Sequence, residues 1–492
     1  MRKVWIALLL IVLIMAFALP VSAADVKFSG SYVAQGYYDN NRSLKTDGGA
    51  SVSNIWQRLR VQTEFQVQEG LKLTTRFDAM EKIWGAARTP VLYTSTTTGA
   101  QVSSLAGNTG TTSDGNNQEA ENIKFEHVYV TANLFGGVLR VGYQQQTTFG
   151  TAFGDSGDST YGPRIAYDYV VGPWSFGARW DKIEGTQYYS ATGPSGNVAV
   201  NTYQVDAVNE KYSGQFLYKW GKGSAGLQIT YYNYSSTAGV YPYYGTNTSA
   251  YTTDATGYKG QYLQFDPYFK AQIGPVYVEG EVLYQTGKLR KMDFVGGTDV
   301  SKDGLSAYVS ATVDFAPVYA GINLVYVAGD DRGTSDKDES GPAGGTDFNP
   351  LLMLFNYDLA RWNGAYGSAG GLTTASSTST PTSYYGPNAA QSSGIYNAQI
   401  GQLFVGVKPI PKLDVRAAYA IAAADKDGAS ANWQSKTYGS ELDITATYRI
   451  YDNLSYMVGF GYLWAGNYFK GTNAAATIDN DYLLTHKLTL TF

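Results

Sequence analysis

The chain of 492 residues contains no cysteine and two histidines, His127 and His486. Without cysteine there are no disulfides, thiolate metal sites, thiol nucleophiles or haem attached through C-x-x-C-H. Histidine is the usual proton carrier in catalysis, and no Ser/His/Asp arrangement stands at a readable spacing. Charge is also scarce: Asp, Glu, Lys and Arg make up 16% of the chain, against about 25% in soluble domains. The net charge of -5 leaves no basic excess, which excludes a nucleic-acid footprint. No G-x-x-x-x-G-K-[ST] loop is present. Beyond the N-terminus, no run is apolar for the ~20 residues that a membrane helix needs. The expectation is a non-enzyme with no cofactor and no metal.

What is abundant is glycine, with 56 residues, and tyrosine, with 42. Residues 1–23 have the form of a secretory signal peptide. Arg2 and Lys3 precede an apolar run from Val4 to Leu19, Pro20 breaks it, and Val21-Ser22-Ala23 offers small residues for cleavage. The mature chain, 24–492, then repeats one pattern. Alternating apolar and polar segments of about ten residues are separated by turn residues, roughly eighteen times. The segments start near Val26, Ser53, Leu71, Ile123, Gly137, Arg164, Trp174, Lys211, Ser224, Gln261, Val276, Leu305, Val318, Ala398, Leu413, Ser440, Leu454 and Tyr482.

Tight connections such as Phe135-Gly136-Gly137 and Tyr451-Asp452-Asn453 alternate with long Gly/Ser/Thr/Asn/Asp-rich ones. The long ones cover 39–52, 84–121, 147–163, 185–209, 235–259, 289–303, 330–396, 423–438 and 467–481. This layout predicts an all-β fold: a transmembrane, antiparallel, up-and-down β-barrel of about eighteen strands. Its short turns would face the periplasm and its long loops the outside of a bacterial outer membrane.

Within a segment the two faces separate by parity. In 55–67, Ile55, Leu59, Val61, Phe65 and Val67 oppose Arg58, Arg60, Gln62, Glu64 and Gln66. In a barrel the apolar face meets lipid and the charged face meets water. Aromatics near strand ends, including Tyr37, Trp174, Trp220, Tyr232, Trp464, Tyr468 and Phe469, read as girdles at the membrane boundary. His486 falls on the apolar parity of the last segment, where a bulge or a neutral imidazole set against a neighbouring Tyr would account for it. The chain ends on an alternating strand and Phe492, which resembles the signal by which such barrels are recognised for membrane insertion.

Gly439-Ser440-Glu441-Leu442-Asp443-Ile444 and the run from Leu454 to Phe469 resemble the closing strands of the alginate-export-type porin family. The resemblance implies an eighteen-stranded barrel and a positively charged constriction. Inward parity gives the candidate basic wall Arg58, Arg60, Arg76, Arg140, Arg164 and Arg179. Candidate acidic positions are Glu64, Asp78, Asp266, Glu279, Glu281, Glu441 and Asp443. Asp78 and Glu64 stand close enough to pair with the arginines, and the later acids suggest an opposed wall. Loop 330–396 is too long to be only a connector. Its apolar middle makes Leu351, Leu352 and Phe355 candidates for a constriction, with loop 84–121 ranked second.

Acid clusters at 330–339 and 425–427 read as solvated loop charge or as sites for divalent cations. The expected function is passive diffusion of small hydrophilic solutes, leaning to anions. The alternatives are a specific channel for acidic saccharides, or a barrel enzyme or adhesin. Expected partners are outer-membrane lipid, lipopolysaccharide and the barrel-assembly machinery, with a monomer and a homotrimer both open.

Overall fold

The computed structural model describes residues 25–492 except 42–43, 45, 47–50, 85–91, 95–100, 104–122, 156–160, 185–186, 190–202, 206–208, 237–257, 293–296, 332, 343–347, 357–394, 428–432 and 472. The expected signal segment, 1–23, lies outside the described residues.

Eighteen long strands follow one another along the chain. They are β1 (Asp25–Asp39), β2 (Val52–Gln68), β3 (Leu71–Ile83), β4 (Ile123–Leu134), β5 (Gly137–Gln145), β6 (Tyr161–Val171), β7 (Trp174–Glu184), β8 (Asn209–Trp220) and β9 (Gly223–Ser236). The second half comprises β10 (Tyr258–Ile273), β11 (Val276–Met292), β12 (Val300–Phe315), β13 (Val318–Val327), β14 (Ala398–Ile410), β15 (Leu413–Ala423), β16 (Thr437–Tyr451), β17 (Leu454–Ala465) and β18 (Asp481–Thr491). Each pairs antiparallel with its chain neighbours, and β18 closes on β1 with Ser31 opposite Thr491. Closure leaves no unpaired edge, the condition for a sheet to span lipid. No described helix is long and apolar enough to cross a membrane.

One end of the barrel carries short turns and the other the long loops. The β4–β5 turn has Phe135 at φ 51° and Gly136 at φ 78°. Two consecutive positive φ values suit the twist of a tight hairpin.

Polarity is inverted relative to a soluble protein. Leu403, Val405 and Ile421 point outward and are exposed, while their lumen-facing neighbour Gln402 is 1% exposed. The apolar core lies inside the barrel, toward the long-loop end, and contains Tyr37, Leu351, Met353, Leu354, Phe355, Tyr438, Tyr468 and Phe469. The girdle reading is therefore corrected for Tyr37, Tyr468 and Phe469, which are buried. Tyr232 also leaves it, since it stacks on Tyr262 at 4.5 Å in the wall of a polar chamber. Trp174, Trp220 and Trp464 remain outward and exposed.

His486 is outward-facing as parity predicts. Its ring fills the space left by Gly36, where a Cβ would come within 2.3 Å of Nε2, and lies 5.9 Å from Tyr456. Phe492 stands at the seam, where its N–H donates to the Gly30 carbonyl at 3.0 Å and its carbonyl accepts from Gly30 N–H at 2.8 Å.

Candidate functional site: two inward loops against a charged wall

Two connections fold into the lumen, and wall carboxylates hold both. After β5, residues 146–155 turn inward. The N–H groups of Thr151, Ala152 and Phe153 donate to Glu281 Oε2 at 2.8, 2.6 and 3.0 Å, and Gly154 N–H donates to Oε1 at 2.5 Å. Successive N–H groups converging on one point form an anion-binding nest. The approach needs glycine: at Gly150, φ 104°, a Cβ would lie 2.5 Å from Glu281 Oε1. Asp266, 1% exposed, adjoins the same turn, with its Oδ2 2.2 Å from where a Cβ on Gly154 would sit.

The second loop enters after β13. Met353 and Leu354 donate to Glu441 Oε1 and Oε2 at 2.7 and 2.8 Å, and Leu352 donates to Asp443 Oδ2 at 3.2 Å. Gln402 Nε2 donates to the Pro350 carbonyl at 2.6 Å. Small residues on the wall make room: Ala418, Ala420 and Ala422 of β15 are buried beneath the loop. Leu351 and Phe355 are each 2% exposed, and Phe355 packs edge-on against Tyr438 at 5.3 Å. The loops meet through Phe153 and Phe348, 6.3 Å apart, with Tyr308 of β12 lying 4.9 Å from Phe348.

This arrangement changes the meaning of the acidic positions. Glu281, Glu441 and Asp443 are engaged by loop backbone and do not present an open acidic wall. Glu279 accepts from the hydroxyls of Tyr277 and Tyr308, each at 2.8 Å. Glu64 pairs with Lys72 at 2.9 Å.

The arginines line β2–β7 and are laced with carboxylates. Arg60 grips Asp78 through two bonds of 2.7 Å, and Arg58 reaches Glu81 at 3.5 Å. Arg164 holds Asp181 at 2.5 and 2.8 Å, and Lys211 approaches the same carboxylate at 3.7 Å. Arg140 and Arg179 share Asp168. Arg76 stacks its guanidinium over the Tyr161 ring at 4.9 Å. Asp168 and Asp181 each serve two cations, so positive charge is in excess around both.

Between the first loop and β6–β12 lies a polar chamber of about 340 Å³. Arg164, Lys211 and Lys302 reach it, as do the carboxylates of Asp181 and Asp266 and the amides of Gln228, Gln264 and Gln285. Parity reasoning missed Lys211 and Lys302, and it gave 147–163 as a long connection without foreseeing that residues 146–155 turn inward. The signal available for that loop was Phe149-Gly150-Thr151-Ala152-Phe153-Gly154, where glycines flank an aromatic turn. The second-ranked loop, 84–121, falls almost wholly outside the described residues.

In the loop acid clusters, Asp331 pairs with Lys426 at 3.2 Å and Asp338 with Lys302 at 2.7 Å. No group able to hold a metal is found among the described residues.

No family model and no curated protein matches the chain. The alginate-export resemblance therefore rests on residues 439–444 and 454–469 alone. Solved structures of similar extent exist. OccAB3 of Acinetobacter baumannii aligns at TM-score 0.48 and 10% identity, covering 95% of this chain and 100% of that one. Pseudomonas aeruginosa OccK2 (OpdF) in complex with glucuronate aligns at 0.44 and 10%, covering 95% and 98%. An anion-selective porin from Comamonas acidovorans aligns at 0.41 and 11%, covering 95% and 100%. Likeness at this level says nothing by itself about what this barrel passes.

Proposed function

We propose that the chain is an outer-membrane porin, a water-filled channel for passive diffusion of small hydrophilic solutes that favours anions. The observation that carries the reading is a closed, inside-out barrel whose lumen receives two tethered loops opposite an arginine-rich wall. Aqueous pores are narrowed and made selective by charged side chains at such a place. Arg58, Arg60, Arg76, Arg140, Arg164 and Arg179 supply the attracting charge, with Asp78 and Asp168 moderating it. The loop that carries Leu351, Leu352 and Phe355 narrows the facing side by its bulk, with Leu351 and Phe355 buried in its packing against the wall and not themselves lining the passage. The protein is not an enzyme. It is exported with loss of residues 1–23.

The test is single-channel recording of the refolded chain 24–492 under a KCl gradient. Ohmic steps with a reversal potential of anion sign are expected. A potential of cation sign would overturn the selectivity, and silence from folded protein would overturn the pore.

The polar chamber favours a second reading, a channel specific for acidic saccharides. Arg164 and Lys211 share the one carboxylate of Asp181 and so keep positive charge to offer an acid group, and the amides of Gln228, Gln264 and Gln285 suit hydroxyls. Glucuronate should then block the current at concentrations where chloride of equal ionic strength does not. Equal effects would leave the unspecific porin.

A further inference from the structure

Ser340, Gly341 and Pro342, from the connection after β13, form one side of the polar chamber. This strap is seated on β12. Lys337 and Asp338 run parallel to Ser301 and Lys302, and the Ser301 N–H donates to the Asp336 carbonyl at 2.8 Å. Two glycines permit the approach. A Cβ on Gly304 would stand 2.1 Å from the Ser340 carbonyl oxygen, and one on Gly341 would stand 2.4 Å from that of Leu305. The seat is built around one ammonium. Lys302 Nζ donates to Asp338 Oδ1 and to the Ser340 carbonyl, each at 2.7 Å, and to the Ser340 hydroxyl at 3.1 Å. An ammonium has three protons, so these acceptors occupy them all. The same Asp338 oxygen accepts from the Ser340 N–H at 3.0 Å.

The three cations of the chamber are therefore not alike. Arg164 and Lys211 divide the single carboxylate of Asp181. Lys302 has a carboxylate to itself, brought by the strap. The two sides of that pair also differ. The Asp338 side chain keeps 28% exposure and Lys302 keeps 7%. Water can take up the carboxylate when it lets go, whereas the buried ammonium then needs another anion.

We infer that Asp338 is a specificity-determining residue, a carboxylate of the chain's own that competes with the acid group of a solute for Lys302. The inference rests on the second reading above, a chamber that takes acidic saccharides. An acid group that reaches Lys302 must displace Asp338, and a neutral sugar has nothing with which to displace it. The exchange leaves the carbonyl and hydroxyl of Ser340 on the ammonium, so Lys302 stays partly bonded throughout. Asp338 thus raises the threshold at which an acid holds the chamber, and it does so through charge.

The experiment measures block of single-channel current by glucuronate, with glucose as the neutral probe. It compares wild type, Asp338→Asn, and Asp338→Asn combined with Lys302→Met. Asparagine keeps an oxygen where Oδ1 stands, so the strap stays seated while the competing charge is removed. Asp338→Asn should be blocked at a glucuronate concentration about tenfold lower than wild type. The double variant should lose that gain, and glucose should act alike on all three. Equal block of wild type and Asp338→Asn would overturn the inference and leave the second reading standing. A gain that survives in the double variant would overturn it, because Lys302 would not be the group released. A gain shared by glucose would also overturn it, because the strap would merely have loosened. If glucuronate blocks none of the three proteins, the second reading fails and the inference falls with it.

Discussion

The backbone N–H of Ala152 donates to Glu281 Oε2 at 2.6 Å, joining a loop after β5 to the middle of β11. Four backbone donors and the Thr151 hydroxyl share that side chain. Glu281→Ala should strand them in a buried setting at a local cost on the order of 2 kcal/mol or more. The loop should leave the lumen, so single-channel current should rise and become noisier. Glu281→Gln keeps an acceptor oxygen and should lie between the two. Identical current in Glu281→Ala and wild type would separate this loop from the conduction path.

Asp168 neutralises part of the charge of both Arg140 and Arg179. Asp168→Asn should move the reversal potential further toward anions, and Arg140→Ala should move it back toward cations. An unchanged potential in both would remove this cluster from the selectivity filter.

Arg60 and Asp78 form a tight pair, with side chains 11% and 3% exposed. Arg60→Ala leaves a buried carboxylate alone and should cost about 3–5 kcal/mol. Thermal unfolding of the detergent-solubilised barrel should report that loss, and a double variant with Asp78→Asn should recover much of it. No recovery would mean that Arg60 stabilises by packing and not by charge.

The strap formed by residues 329–342 is pinned by Asp331 and Lys426. The Gly333 N–H and then Lys426 hold the Asp331 carboxyl below its usual range, and the hydrogen bond to Asp331 holds Lys426 above its own. A carboxyl lowered in the folded state stabilises above its unfolded pKa and stops doing so as pH falls through the folded value. A raised lysine stabilises below its unfolded pKa and stops as pH rises through the folded one. The pair should therefore hold from about pH 4 to about pH 10. Hydrogen exchange of peptides covering 329–342, corrected for intrinsic rates, should show constant protection across that window. Loss of protection near neutrality would contradict the pairing.

Much of the barrel was legible in the sequence because a two-residue period and alternating loop lengths are local signals. The expected starts at Leu71, Ile123, Gly137, Trp174, Val276, Val318, Ala398, Leu413 and Leu454 coincide with observed strand starts. The candidate site was less legible. Parity puts Arg60 and Glu441 on inward faces, but it cannot tell that Glu441 meets Met353 N–H, 88 residues away, while Arg60 meets Asp78 across one hairpin. Backbone donors carry no mark in the sequence. The inward course of residues 146–155 was not legible because their fastening lies in N–H groups and in a single glutamate on a distant strand. His486 was opaque for a similar reason: the answer was the absence of a side chain at Gly36, which only the β1–β18 register brings alongside.

Both inward loops are fastened by carboxylates that grip main chain. Such a fastening is blind to most of what the loop is made of. The side chain at a position such as Leu352, which meets Asp443 only through its N–H, can be exchanged while the clasp stays intact. One barrel of this build can thus change what it admits by rewriting a few loop residues, with the strands that hold them left alone.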